Sequence, residues 1–294
     1  MNDGNFNKAE QAAVGKWRKM GNRDSDIYAV ETLLRAMEKK CVSACARFLA
    51  LNETKGNVWT LNEKSTTPSA LLINSRSTII PVLCGKKEIP CPDFLKELIK
   101  KNKIHSVQGQ KEDVLILEKK MKQMGAQSAD IYDYDLMSLD RQPNQKTFLS
   151  VPSNLVLRTP RLTDLDAIAP LQAAYEQEEV LPSGSDFSPA ASRINLANII
   201  ARGQMLCAEV GGRLVGKINI NAVSFTRYQL GGVYVHPDFR RQGIARGMAA
   251  EFISSIIKEG RGVTLFVKKS NPPAQRLYSA LGFTVSGDYR ITYY

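Results

Sequence analysis

Val233-Tyr234-Val235-His236-Pro237-Asp238-Phe239-Arg240-Arg241-Gln242-Gly243-Ile244-Ala245 runs from an apolar strand pattern through a His-Pro turn into a short basic loop, and out into a helix. The first N–H groups of a helix have no intrahelical acceptor and sit at the positive end of its dipole. A loop of this form therefore gathers donors around one point and suits a pyrophosphate. Gly243 has no Cβ, so its backbone can come close to an anion, and Ala245 is nearly as small. Arg240 and Arg241 oppose the helix dipole where they stand, which is unfavourable unless an anion is bound there. The amides from Arg241 through Gln242, Gly243, Ile244 and Ala245 to Arg246 are the expected phosphate donors.

Working outward, Ile244–Glu259 is amphipathic and ends at Gly260, Val263–Val267 reads as a strand, and Pro272–Leu281 as a helix closed by Gly282. Thr284–Tyr294 reads as a final strand or hairpin. Upstream, Leu155–Arg158 is a strand, Thr163-Asp164 caps a helix to about Glu178, Leu181–Pro189 is a loop and Ala190–Arg202 a second helix. Met205–Val210 and Arg213–Val223 flank Gly211-Gly212, a hairpin signal, and Gln229–Val235 is the strand that feeds the basic loop. This order predicts an α+β layer on one mixed, mostly antiparallel sheet flanked by helices.

A second motif, Asn271-Pro272-Pro273-Ala274-Gln275-Arg276-Leu277-Tyr278-Ser279-Ala280-Leu281-Gly282-Phe283, follows the next strand. With Arg240-Arg241-Gln242-Gly243-Ile244-Ala245 it resembles the paired motifs of the GNAT superfamily of acyl-CoA-dependent N-acyltransferases, [RQ]-x-x-G-x-[GA] and N-x-x-A-x-x-L-Y-x-x-x-G-F. The resemblance covers residues 154–294. It implies acetyl-CoA as cofactor, with a splayed strand at Val233, Tyr234 and Val235 pairing with the pantetheine amides. It also implies that Asn271 and Ala274 line the cofactor, and that Tyr278 sits near the cofactor sulfur. A phenol there can donate a hydrogen bond or a proton to the leaving thiolate. The implied reaction is direct attack of a neutral amine on the acetyl carbonyl, with backbone N–H near Val235 stabilising the oxyanion.

The general base does not follow from the motifs. Some members of the family carry a glutamate on the strand after the loop helix; here that strand offers only Phe266. His236 is read as shaping its turn with Pro237. Glu178, Glu179 and Asp186 lie where the resembling fold places acceptor-binding groups, though a solvated loop explains carboxylates equally well. Glu209, at a strand end beside a hairpin, reads as structural.

Residues 1–25 read as a polar lead-in, and 26–140 as a smaller α/β domain with helix, three strands, helix, strand, helix and strand. One long helix is expected over Asp26–Leu49, and Asn57–Leu61, Ser69–Asn74 and Ser77–Leu83 are the first three strands. The order resembles a degenerate GNAT-like domain. Its equivalents of the two motifs, Gly85–Pro92 and Gln108–Asp113, lack the glycine spacing, the asparagine and the tyrosine. The Gln-, Asn- and Pro-rich segment 141–153 is the expected linker. One cofactor site per chain is expected, with the first domain walling an acceptor cleft or mediating dimer contacts, so that the protein is a monomer or homodimer.

No apolar run long enough for a membrane span and no signal-peptide pattern appears. Five cysteines, 41, 45, 84, 91 and 207, form no C-x-x-C pair, which suits free thiols in the cytoplasm. With two histidines the sequence offers no zinc ligand set. The net charge of +11 favours anionic ligands, but no dense basic tail or aromatic platform points to nucleic acid. Three functions compete: an acetyltransferase acting on an amine-bearing small molecule or protein, a non-catalytic CoA-binding regulator, and a nucleic-acid-binding module. The retained Tyr278 favours the first.

Overall fold

A computed structural model describes residues 15–51, 57–63, 67–90, 92–143, 151–182 and 184–294. Most of the polar lead-in, Cys91 and the middle of the expected linker lie outside the described residues. Two compact units divide the chain. The first takes residues 1–132 and 289–294, and the second takes 133–288. The sequence had set the boundary at 141–153; the division instead falls between Tyr132 and Asp133, and six residues beyond the second unit return to the first.

The first unit holds β1 (Lys16–Lys19), α1 (Asp24–Met37), α2 (Val42–Leu49), β2 (Asn57–Asn62), β3 (Ala70–Ser75), β4 (Thr78–Val82), α3 (Asp93–Lys100), β5 (Ser106–Gln110) and α4 (Lys111–Gln123). A strand and a helix start thus lie inside the segment read as lead-in. The single helix expected over Asp26–Leu49 is two. Cys41 leaves helical geometry at φ −137° and ψ 38°, which turns the second helix so that Cys45 and Phe48 are buried alongside Val30 and Leu34 of the first. The sheet is antiparallel from β1 to β4, and β5 runs parallel to β4. Residues Tyr289–Tyr293 then pair antiparallel with β5. Leu72, Ile79, Leu95, Val107 and Leu117 form the core between this sheet and helices α3 and α4.

The second unit is built from β6 (Ile131–Leu139, from Asp133 on), β7 (Leu155–Arg158), α5 (Leu165–Tyr175), α6 (Pro189–Ala201), β8 (Met205–Val210), β9 (Arg213–Val223), β10 (Arg227–Val235), α7 (Ile244–Lys258), β11 (Gly262–Lys268), α8 (Pro272–Ala280) and the start of β12 (Thr284–Tyr293). The spatial order is β12-β6-β11-β10-β9-β8-β7. Alternate apolar residues of β9 and β11 meet the apolar stripe of α7 in one cluster that includes Ile218, Leu265, Met248 and Ile253. A second cluster joins Ile168 of α5, Leu196 and Ile200 of α6, and Met205 and Cys207 of β8. Arg158 bridges Asp164 at 2.8 Å and Glu209 at 3.0 Å. Glu209 is thereby tied to its neighbouring strand, and hydrogen bonding from Arg158 holds the Asp164 carboxyl down at about 2.

Candidate functional site

β10 pairs with β11 only at its start, where Arg227, Tyr228 and Gln229 face Gly262, Val263 and Thr264. β11 continues antiparallel to β6 as far as Lys268. Residues 230–235 of β10 therefore present a strand edge to an opening between the two strands. Such an edge offers backbone donors and acceptors to a peptide-like ligand.

On its other side β10 follows β9 through two register shifts, at Gln229/Leu230 and at Gly231/Tyr234. Gly231 faces Asn219 and Tyr234 faces Lys217, so three steps along β10 span two along β9. This is a β-bulge, and Gly232 within it is left-handed at φ +59°. A Cβ on Gly232 would stand 1.7 Å from Asn219 Oδ1, and one on Gly231 would stand 1.8 Å from Asn221 Nδ2. The two glycines make room for a polar row on one face of β9, at residues 217, 219 and 221. Lys217 is fully buried. Its Nζ donates to the Gly232 carbonyl at 2.9 Å and to Asn219 Oδ1 at 3.3 Å, and lies 4.4 Å from the Tyr175 ring centre. Asn219 in turn donates to Asn221 Oδ1 at 2.8 Å. Burial pulls Lys217 down to about 7, with Cys207 and Glu176 acting the other way.

Past Val235, Pro237–Phe239 forms a short 3-10 turn. His236 holds it, with Nδ1 3.4 Å from the Asp238 N–H and Nε2 3.2 Å from Arg213. Arg241 at φ +63° and Gly243 at φ +76° are both left-handed. They curl successive N–H groups to one side, as in anion-binding turns. The first backbone bond of α7 is Gly247 N–H to the Gly243 carbonyl at 2.9 Å. The amides of Ile244 and Ala245 precede it. Gln242 donates its side-chain amide to the Asp238 carbonyl at 3.3 Å. Arg240 is committed differently: Nε donates to the Val235 carbonyl and Nη2 to Glu178, both at 3.0 Å.

Helix α5 ends in a wide π turn, Glu176–Val180, closed by Leu181 N–H to the Glu176 carbonyl at 2.9 Å. Such turns redirect side chains at functional sites. This one sends out two carboxylates. Glu178 accepts from Tyr234 Oη at 2.5 Å and from Arg240. Those bonds, Tyr234's foremost, hold Glu178 below the usual carboxylate range. Glu179 accepts from Asn271 Nδ2 at 3.3 Å and lies 3.7 Å from Lys268 Nζ.

Asn271 also caps α8, its Oδ1 accepting from the Ala274 N–H at 3.1 Å, with Pro272 at the first helical position. Tyr278 is buried on α8, its ring edge-on to Phe283 at 5.7 Å. Burial raises its phenol well above the ordinary range, with Tyr175 and Glu179 adding to the effect. Phe266 packs edge-on against Tyr134 at 5.4 Å.

Of the residues expected from the sequence, Val233, Tyr234, Val235, Arg240, Glu178, Glu179, Asn271 and Tyr278 lie around the opening and its neighbouring helix ends. Arg241, Gln242, Gly243, Ile244, Ala245 and Arg246 form the adjoining loop and first turn. Asp186 is exposed in the loop before α6. Sequence reasoning missed Tyr175, Lys217, Asn219, Asn221 and the bulge at Gly231-Gly232. A pair of glycines inside a strand pattern was the available signal, since it marks a bulge or a close approach.

Residues 170–283 match the model of the acetyltransferase (GNAT) family. No curated protein matches the chain in a sequence comparison. Among solved structures, a Drosophila protein is 14% identical, with a TM-score of 0.64 over 95% of this chain and 99% of its own. A GCN5-related N-acetyltransferase from Sphaerobacter thermophilus is 17% identical, with a TM-score of 0.57 over 94% of each chain. A tandem GNAT protein from the clavulanic acid biosynthesis pathway is 16% identical, with a TM-score of 0.56 over 94% of this chain and 97% of its own. At these identities the likeness is one of fold, and it extends over both halves of the chain.

Proposed function

We propose, from the match of residues 170–283 to the GNAT acetyltransferase family, that the chain transfers an acetyl group from acetyl-CoA to a primary amine by direct attack. The observation that carries this reading is the parting of β10 from β11 after Gln229, beside a loop in which Arg241 and Gly243 are left-handed. The residues present fit such a ligand. Loop amides near Gly243 suit a pyrophosphate, and the edge of Val233–Val235 suits the amides of pantetheine.

Acetyl-CoA supplies a thioester whose carbonyl an amine can attack. The N–H groups of the β10 edge stabilise the negative charge that develops on the carbonyl oxygen. With acetyl-CoA bound, Tyr278 would donate a hydrogen bond to the thiolate that leaves as the new C–N bond forms and the C–S bond breaks. Burial raises its phenol, so that it keeps its proton at neutral pH and is a weak acid, suited to a hydrogen bond onto the thiolate, whose proton comes from water. The amine's own proton passes to water, because Phe266 stands where a carboxylate base would be expected. Glu178, Glu179 and Asp186 are assigned to the acceptor side. One such site per chain is proposed, in the second unit, since Gly85–Pro92 lacks the loop spacing. A reducing, cytoplasmic setting is part of the reading and is supported by the free thiols of Cys41, Cys45, Cys84 and Cys207.

The absence of a carboxylate at Phe266 favours a second reading, a non-catalytic protein that binds CoA and regulates through it. Calorimetry with acetyl-CoA tests both readings, and no binding sinks both. Thiol release with spermidine, an aminoglycoside and peptides bearing a free lysine or N-terminal amine then separates them. Release with at least one amine supports the enzyme; binding without release across the panel supports the regulator.

A further inference from the structure

A fully buried lysine is costly unless its ammonium meets good acceptors. Lys217 meets the carbonyl of Gly232 at 2.9 Å and Asn219 Oδ1 at 3.3 Å. The Gly232 carbonyl belongs to the bulge, where the ladder between β9 and β10 is interrupted and cannot satisfy it. Lys217 thus replaces a missing ladder bond with a charge-assisted one. That carbonyl shares its peptide group with the N–H of Val233. No peptide bond among the described residues is cis, and in a trans peptide the C=O and N–H point in opposite directions. With the carbonyl turned to Lys217, the Val233 N–H faces away from it. Val233 takes no part in the register of β10 with β9 or β11. Bonds at the two ends of one peptide group also strengthen each other, so a cation on the oxygen makes the N–H a better donor.

We propose that Lys217 is a positioning residue for acyl transfer: its Nζ grips the Gly232 carbonyl and thereby aims and polarises the Val233 N–H toward the acyl oxygen. This rests on the acetyltransferase reading above, but the coupling of Lys217 to Val233 can be measured without any ligand. The groups facing Lys217 are Cys207 from β8, Tyr175 and Glu176 from the end of α5, and Tyr234 opposite it on β10. Asn219 is its neighbour on the same face of β9. Burial dominates among these influences and brings the loss of the lysine's proton to about pH 7. Below that pH the ammonium polarises the peptide; above it a neutral amine holds the same carbonyl more weakly.

The test uses the full chain labelled with ¹⁵N-valine. The Val233 amide resonance is followed through the neutral range in the wild type, in Lys217→Met and in Lys217→Arg. The expected result is a titration with a midpoint of about 7 in the wild type. Lys217→Arg, which keeps its charge throughout, is expected to hold the wild type's low-pH position. Lys217→Met is expected to show neither; if it does not fold, the contrast between wild type and Lys217→Arg decides. With acetyl-CoA and the best amine of the panel, Lys217→Met is expected to lose about tenfold or more in kcat. Its acetyl-CoA affinity should stay within about twofold, because the polarised N–H counts most where charge develops on the acyl oxygen in the transition state. A Val233 resonance indifferent to pH in the wild type, or an unchanged kcat in Lys217→Met, overturns the proposal. If acetyl-CoA does not bind the wild type, the acetyltransferase reading fails, and the amide titration still reports whether Lys217 governs Val233.

Discussion

The phenol of Tyr234 donates to a carboxylate oxygen of Glu178 at 2.5 Å, joining a strand of the opening to the wide turn that ends α5. Arg240 completes the group by bonding the other carboxylate oxygen and the Val235 carbonyl. Tyr234 is buried, whereas the Arg240 and Glu178 side chains are 45% and 46% exposed. The buried phenol is therefore the part that matters for stability, since an ion pair that open to water is worth little. Tyr234→Phe is expected to lower unfolding free energy by about 1 kcal/mol, read by chemical denaturation. An unchanged midpoint would mean that the bond does not persist in solution.

Gly243 precedes α7 in left-handed geometry, φ +76°. A β-branched residue there meets backbone strain of about 1–2 kcal/mol, and its side chain would intrude where phosphate oxygens are expected. Gly243→Val is predicted to abolish acetyl-CoA binding in calorimetry while circular dichroism still shows a folded chain. Wild-type affinity in the variant would remove the loop from the cofactor site.

Tyr278 touches no charged partner by hydrogen bond in the described structure, and its raised phenol keeps its proton. Tyr278→Phe conserves the ring that packs on Phe283 and removes only the hydroxyl. Turnover is expected to fall by about tenfold to a hundredfold with little change in acetyl-CoA affinity. Equal turnover in the two proteins would take Tyr278 out of the chemistry.

Lys217 links stability to pH. Its proton is held less tightly in the folded chain, where it leaves at about 7, than at the ordinary value of 10.5. Between these limits the unfolded chain binds more protons, so stability rises with pH across that window. Below about 7 the lysine is charged in both states and contributes no slope. Lys217→Met is predicted to flatten the rise between pH 7 and 10.5, measured as urea midpoints at several pH values. Parallel curves for the two proteins would contradict a depressed lysine.

The basic loop, the Asn271 cap and most helix limits were readable because each depends on neighbours a few residues away. Gly243 and Asn271 carry their reasons locally, in a left-handed turn and in a side chain that reaches the third amide beyond it. Lys217, Asn219 and Asn221 carry no such local sign. Polar residues at alternate strand positions ordinarily mark a solvent face; here Lys217 and Asn219 are buried beside the bulge at Gly231-Gly232, on another strand, while Asn221 at the end of the row is exposed. The break at Cys41 was similarly hidden, since apolar spacing continues through it. The wide turn after Tyr175 depends on one extra residue, and the sequence pattern does not register a shift that small.

The pairing of Tyr289–Tyr293 with β5 sets an order of events for a chain made from its N-terminus. The ribosome must produce all of residues 133–288 before the segment that covers β5 exists. Until then the β5 edge has no such cover, and exposed edges invite mispairing. The first unit is thus begun before the second and cannot be finished before it. Its nascent form is the species for which a chaperone, or a pause in translation, would matter.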